Sequence, residues 1–259
     1  MAISWSKKMG AAALGLSLVT AHASDARAAE EVKVETKNDK AFVEGVIKEY
    51  FQKNPDVVFN ALVAYQQKQE EEKQKTAQEK VQQHEDKLYD LDLTPAIGNV
   101  DGADATVVEF FDYSCGYCRR SFPILQQLVK DDPKVRVLFK EFPILGKASE
   151  EASKAAVAVF ITQPKKYFDA HQLFMTQRLR DKEAILKALE GIGVDAKAVE
   201  KAMDGEEVAK VLESADAVAR SIGVNGTPAF IVNGQFVGGA LSLDTFKQMI
   251  ADARAKKAK

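Results

Sequence analysis

The sequence has only two cysteines, Cys115 and Cys118, among 259 residues, together with three histidines and one tryptophan. Two thiols cannot build a four-thiolate zinc site or a dense disulfide framework, so the cysteines act as one close pair. An excess of one charge is also missing. The chain sets 36 Lys and Arg against 38 Asp and Glu, a formal net charge of -2, which gives no electrostatic reason to expect nucleic acid or an anionic membrane as partner. Beyond the first residues, no apolar run approaches the roughly 20 residues that a membrane-spanning helix needs. With 46% hydrophobic and 29% charged residues, the composition excludes wholesale disorder. A chain this poor in cysteine folds on its hydrophobic core, which its length permits.

Lys7 and Lys8 precede an apolar run from Met9 to Val19, and two small-residue patterns, Ala21-His22-Ala23 and Ala26-Arg27-Ala28, follow it. The run is about half the length that an uncleaved membrane anchor requires. Residues 1–23 therefore read as a cleaved secretory signal, which predicts a periplasmic mature protein. Residues 24–38 are small and charged without a hydrophobic period and predict a flexible lead-in.

From Lys40 the pattern changes. Val43, Val46, Ile47 and Tyr50 recur at helical spacing and form one apolar stripe, widened by Phe42 and Phe51. Asn54-Pro55-Asp56 predicts a helix restart, with Asn54 as N-cap, Pro55 at the first helical position and an acid in the first turn. The second helix shows Val58, Leu62 and Tyr65 on one face, then runs into Gln66–Lys87, which is nearly all polar and has no evident core face. A polar rod of roughly 20 residues spans about 30 Å, which is hard to wrap onto a small domain. Residues 39–90 are accordingly expected to form a helical oligomerisation stalk that buries its stripe against further copies of the chain. The alternative is a helical cap folded onto the same chain, with its polar part solvated and carrying pairs such as Glu71 and Lys75.

Residues 91–259 are a different kind of sequence. Thr106–Phe111 and Val135–Phe139, dense in β-branched and aromatic residues, predict strands with a helix between them. After Pro143 come helical segments at Ser149–Phe160, Lys166–Gln177, Lys182–Leu189 and Glu206–Ile222. Strands return at Ala229–Val232 and Phe236–Val237, joined by the hairpin signal Asn233-Gly234, and a helix closes the chain at about Leu243–Ala255. This order predicts an α/β domain with a mixed sheet.

Cys115-Gly116-Tyr117-Cys118 follows the first strand directly and opens the helix that carries Phe122, Leu125 and Leu128. A thiolate at a helix N-terminus faces unpaired N–H groups and the positive end of the dipole, so the pKa of Cys115 is expected below about 8.5. Cys115 is then the attacking sulfur and Cys118, one turn in, the resolving one. A structural bridge is the first alternative, but closing a four-residue loop contributes only about 2 kcal/mol. A Cu(I) or zinc pair is the second, and without a nearby histidine its coordination is unfinished. Neither a metal nor a cofactor is assigned. His84 and His171 are expected to be surface or packed side chains in helices far from the motif.

The segment Glu109-Phe110-Phe111-Asp112-Tyr113-Ser114-Cys115-Gly116-Tyr117-Cys118, taken with Gly226-Thr227-Pro228-Ala229-Phe230, resembles the DsbA-like branch of the thioredoxin superfamily over roughly Leu91–Lys259. The resemblance implies a thioredoxin fold with an inserted helical domain at about 144–222. Taken with its N-terminal helices, the chain resembles the secreted trimeric disulfide isomerases of the suppressor-of-copper-sensitivity protein C type, which makes a trimer the favoured oligomer. The same resemblance implies that Glu109 is a buried acid beneath the resolving thiol, where it can relay a proton to or from Cys118. An outward-facing strand residue is the alternative. Thr227-Pro228 matches the family's cis-proline loop, which exposes backbone beside Cys115 so that an extended substrate strand can pair there. Gly116 and Tyr117 complete the implied substrate-binding set. Lys140, at the end of the next strand, is a candidate to pair with Glu109 or assist proton transfer, with a surface lysine as the alternative.

Three departures from the strongly oxidising members matter. Those enzymes carry Pro-His between the cysteines, whereas Gly116-Tyr117 is similar to the disulfide isomerase DsbC, as is Thr227 before the proline. Without a histidine cation in the motif the thiolate is expected to be stabilised less, with Arg119 and Arg120 recovering part of the loss and Asp112 opposing them. The expected function is a thiol–disulfide oxidoreductase that rearranges incorrect disulfides in secreted proteins. A membrane-bound thiol reductase is the implied partner that keeps it reduced. A dithiol oxidase, a copper-binding or copper-protective protein and an oligomeric holdase are the alternatives.

Overall fold

At Lys40 the helical spacing of the sequence is realised, with α1 over Lys40–Lys53 and α2 over Pro55–Gln83. The structure, a computed structural model, describes residues Lys40–Lys257, so the expected signal 1–23 and lead-in 24–38 lie outside the described residues. The chain divides into two units, residues 1–58 and 59–259. In the first unit α1 buries none of its residues, and Phe42, Val43, Val46, Ile47, Tyr50, Phe51 and Val58 are all exposed. Asn54 directly precedes α2 and Pro55 opens it, as expected. The Asn54 side-chain amide donates to the Tyr50 carbonyl at 2.8 Å and so closes the end of α1.

In the second unit the expectation that Gln66–Lys87 lacks a core face is corrected. Ala77 and Val81 near the end of α2 are buried, as is Leu88 at the end of α3 (Glu85–Leu88). Val81 and Leu88 join a cluster with Val108, Phe110, Leu138 and Ile231. A polar composition hides this stripe because only three of its positions are apolar. His84 lies in the turn between α2 and α3 rather than within a helix.

The remaining elements are β1 (Ala96–Gly98), β2 (Ala105–Phe111), α4 (Gly116–Asp131), β3 (Val135–Glu141), α5 (Lys147–Thr162), α6 (Tyr167–Thr176), α7 (Lys182–Gly191), α8 (Ala196–Ala202), α9 (Glu206–Ile222), β4 (Ala229–Val232), β5 (Gln235–Gly238) and α10 (Leu243–Lys257). The sheet order is β1-β3-β2-β4-β5, with β2 and β3 parallel and the other neighbours antiparallel. It is a thioredoxin-like sheet with α5–α9 inserted between β3 and β4. Strand alternation sorts the core into two layers. Val107, Phe111, Val137 and Phe139 pack with Leu125, Leu128, Phe174 and Phe246 on one face. Val108, Phe110 and Leu138 pack with Val218 and Ile222 on the other. Each such fully buried side chain contributes about 1.5–3 kcal/mol, which is why the sheet centre is the rigid platform for what it carries.

The hairpin between β4 and β5 turns through two left-handed residues, Asn233 (φ 46°) and Gly234 (φ 85°), as its sequence predicts. Asn233 also ties the turn to β2, its Oδ1 accepting from the Thr106 N–H at 2.7 Å. Among the described residues, no helix is long and apolar enough to cross a membrane.

Candidate active site

β2 delivers the chain to Asp112, and α4 begins four residues later with Cys115 as its N-cap, in extended conformation (φ −73°, ψ 118°). The intervening turn is fixed by Asp112, which is fully buried. Its Oδ1 accepts from the Ser114 N–H and the Ser149 hydroxyl, both at 2.7 Å, and its Oδ2 from the amides of Ile144 and Leu145, both at 2.9 Å. Asp112, whose charge is expected to oppose the thiolate, also holds the active-site turn to the start of α5.

Both cysteines are free thiols, Cys115 at 6% exposure and Cys118 fully buried. The Cys115 thiol donates to the Thr227 carbonyl at 3.2 Å, and the Thr227–Pro228 peptide is cis. Burial pushes the Cys115 thiol up. Hydrogen bonds from the Thr227 side chain, the Cys118 backbone and thiol, and the Tyr117 backbone outweigh it, so the net pKa lies below the ordinary thiol value. Cys118 moves the other way. Burial first, and the charge of Glu109 second, hold it well above the ordinary thiol range. Replacing Thr227 with Val removes one of the bonds to the sulfur and is expected to raise the Cys115 pKa, read from thiolate ultraviolet absorbance against pH. An unchanged titration would show that Thr227 does not stabilise the anion.

Gly116 is partly exposed and Tyr117 is 59% exposed, with the Arg120 guanidinium 4.3 Å from the centre of its ring. Arg119 is not aimed at the sulfur. Its Nε donates to the Tyr113 carbonyl at 2.9 Å, Nη1 to Met175 at 2.9 Å and Nη2 to Gln177 at 2.8 Å. This side chain therefore clamps the first turn of α4 to the end of α6.

Glu109 lies fully buried in β2, and neither of its carboxyl oxygens has a hydrogen-bond partner among the described residues. Burial, and then the charge of Cys115, push its pKa up to about 8. An outward-facing strand position is thus excluded for Glu109. Lys140 requires a correction: it does not pair with Glu109. In the parallel register Glu109 stands opposite Phe139 while Lys140 stands opposite Phe110, which places the two side chains on opposite faces of the sheet. The Lys140 ammonium donates to the Lys87 carbonyl at 2.7 Å and to the Thr94 hydroxyl, and burial lowers its pKa to about 8. It is neither a surface lysine nor close to the thiols. Lys140→Ala is expected to leave disulfide-exchange rates within about twofold of wild type while lowering Tm by several degrees, since two buried acceptors lose their donor. A large loss of exchange with unchanged Tm would return Lys140 to the site.

Beneath the turn lies a buried polar group that the sequence reading did not assign to the site. The Tyr113 hydroxyl donates to Glu141 Oε1 at 3.2 Å and lies 2.9 Å from His171 Nδ1, while the Ser153 hydroxyl donates to Glu141 Oε2 at 2.7 Å. Burial raises the Glu141 pKa well above the carboxylate range and lowers that of His171 to about 3. Glu141 follows Val135, Val137 and Phe139 at inward strand positions, which is the signal that marks Glu109 as well. Among the described residues, no group of three or more His, Cys, Asp and Glu side chains is placed to hold a metal ion.

Comparison with known proteins matches residues 106–251 to the DSBA-like thioredoxin domain model. Disulfide bond formation protein D of Bacillus subtilis is 27% identical over 167 residues, 60% of this chain and 75% of that one. The Na(+)/H(+) antiporter NhaA 3 of Salinispora tropica is 25% identical over 155 residues, and the match spans only 24% of its length. Among solved structures, Salmonella enterica Typhimurium BcfH is 26% identical with a TM-score of 0.71, covering 83% of this chain and 95% of that one. Proteus mirabilis ScsC in a compact conformation is 27% identical with a TM-score of 0.64, covering 85% and 100%.

Proposed function

The chain belongs to the DSBA-like thioredoxin domain family, and from that premise we propose that it is a periplasmic thiol–disulfide oxidoreductase that isomerises incorrect disulfides in secreted proteins. The observation that carries this reading is the placement of its two thiols, Cys115 at the start of α4 beside the cis Thr227–Pro228 peptide and Cys118 fully buried one turn on, which lowers the pKa of the first and raises that of the second. The Cys115 thiolate attacks one sulfur of a client disulfide, that S–S bond breaks, and the other client sulfur leaves as a thiolate. A second client thiolate then attacks the mixed disulfide, forms a new client disulfide and returns Cys115 to its anion, with no net electron transfer. When a client stalls, Cys118 attacks Cys115 instead, so the client leaves reduced and the enzyme oxidised. A membrane-bound thiol reductase then restores the dithiol. The partly exposed Thr227, whose carbonyl already meets the Cys115 thiol, suits an extended client strand lying beside Cys115.

Gly116-Tyr117 in place of Pro-His, Thr227 before the proline and the similarity to ScsC favour isomerisation over oxidation. Refolding assays separate the two. An isomerase recovers a scrambled, fully oxidised substrate, whereas a dithiol oxidase acts on a reduced one; activity on reduced substrate alone would put the oxidase reading in its place.

The exposed stripe of α1 supports self-association as the means of setting several thiols around one client. Deleting residues 39–90 is a poor test, because it strips Val81 and Leu88 from the core. The double substitution Val46→Asp and Tyr50→Asp, in the full chain, charges the stripe and leaves the sheet alone. The expected result is a monomer by light scattering that still exchanges with small peptides and no longer rescues scrambled protein. An unchanged mass would remove the stalk from the mechanism.

A further inference from the structure

Beside the catalytic turn lies a pocket of about 180 Å³, lined by Ser114, Arg119, Phe174, Arg178, Leu179 and Arg180 among others. It is too small for a drug-sized ligand, whose sites run to roughly 300–1,000 Å³, and suits one side chain. Its charge is one-sided. No carboxylate lines it, and three guanidinium groups do. Arg119 is occupied by three backbone carbonyls, which leave its positive charge uncancelled. Arg178 and Arg180 are exposed and stand in no ion pair among the described residues. Arg178 is near enough to Arg119 that, after burial, its charge is what lowers the Arg119 pKa. Of the acids next in sequence to its lining residues, Asp181 caps α7 by accepting from the Ala184 N–H at 2.8 Å, Asp112 accepts from four donors, and Glu151, beside Ala152 on α5, is not among the lining residues.

We infer that this pocket is a carboxylate subsite, which takes a Glu or Asp side chain of the client close to the cysteine that Cys115 attacks. Ser114 is both a wall of the pocket and the residue before Cys115, so a client chain lying across the sulfur passes the pocket within a few residues. Like-charged groups held together without counter-ions raise one another's free energy, and an incoming carboxylate relieves that while Phe174 and Leu179 accept its methylene stem. Arginine suits the task because its planar fork binds carboxylate at two points. The subsite thereby gives the proposed isomerase a substrate class, clients whose cysteines are flanked by acids, and rests on that reading.

The test is the rate at which the reduced full-length protein reacts with three peptide disulfides that differ only in carrying Glu, Gln or Lys two residues from the cysteine. At low ionic strength the expected order is Glu, Gln, Lys, with roughly fivefold between the first two and the gap closing as salt is added. The chain's net charge of -2 acts against this order, so a preference for the acidic peptide reports the local arginines and not the overall field. The double substitution Arg178→Glu and Arg180→Glu is expected to reverse the order of the Glu and Lys peptides, each rate being taken relative to the same variant's rate with the Gln peptide. Equal rates for Glu and Lys peptides, or an order that survives the double substitution, overturn the subsite while leaving the disulfide chemistry intact. No reaction with any of the three overturns both.

Discussion

Replacing Cys118 with Ala is expected to leave the first chemical step intact and to accumulate a stable mixed disulfide between Cys115 and its client, visible as a reducible adduct by non-reducing electrophoresis and mass. Replacing Cys115 with Ala is expected to abolish exchange by at least about a thousandfold, because no other sulfur in the chain is poised to attack. The asymmetry follows from where the two thiols sit. Cys115 is the residue at which α4 begins, so its sulfur meets unpaired N–H groups and the Thr227 loop, and its pKa drops in spite of burial. Cys118 has turned inward by one helical turn, is fully buried and faces the field of Glu109, so its pKa rises. In wild type, alkylation at neutral pH should therefore label Cys115 far faster than Cys118. Equal labelling would mean that the helix end does not distinguish them and would remove the basis for assigning attack to one and resolution to the other.

What the sequence discloses depends on how local the cause is. The strands, the hairpin and the cysteine helix are legible because β-branched runs, Asn233-Gly234 and the apolar spacing of Phe122, Leu125 and Leu128 act within a few residues of themselves. Two elements escape for the same reason: β1 has three residues and α8 seven, too few for a period to register. The face that Lys140 takes is set by its register opposite Phe110, which the identity of a strand residue alone does not reveal. The sequence shows Asp112 and Arg119 as charges near a thiol but not that each also fastens together segments at least 30 residues apart. Val81 shows the opposite case, an apolar residue in a largely polar helix that joins the core through a surface built from distant strands.

Glu109→Gln should change both stability and the resolving step, each with a pH dependence of defined sign. In the folded protein the carboxyl is held at about 8, against an ordinary value of 4.5. Below about pH 4.5 it is protonated in both states and costs nothing by ionisation. As pH rises through the window from 4.5 to about 8 the unfolded chain ionises and the folded one does not, so stability falls steadily and levels off above it. The shift corresponds to a loss on the order of 5 kcal/mol, a large part of a domain's total stability. Gln cannot ionise, so the variant's Tm should approach or match wild type near pH 4.5 and exceed it increasingly up to about pH 8, with a constant difference above that, the gain being trimmed by the cost of an unpaired buried amide. Only as pH passes about 8 does Glu109 ionise in the folded protein, and it is then expected to accept the Cys118 proton. Resolution of a pre-formed mixed disulfide should accelerate in wild type with an inflection near 8 and lose that inflection in the variant. A raised Tm at alkaline pH with an unchanged rate profile would leave Glu109 as a buried charge tolerated by the fold and would assign the proton of Cys118 to solvent.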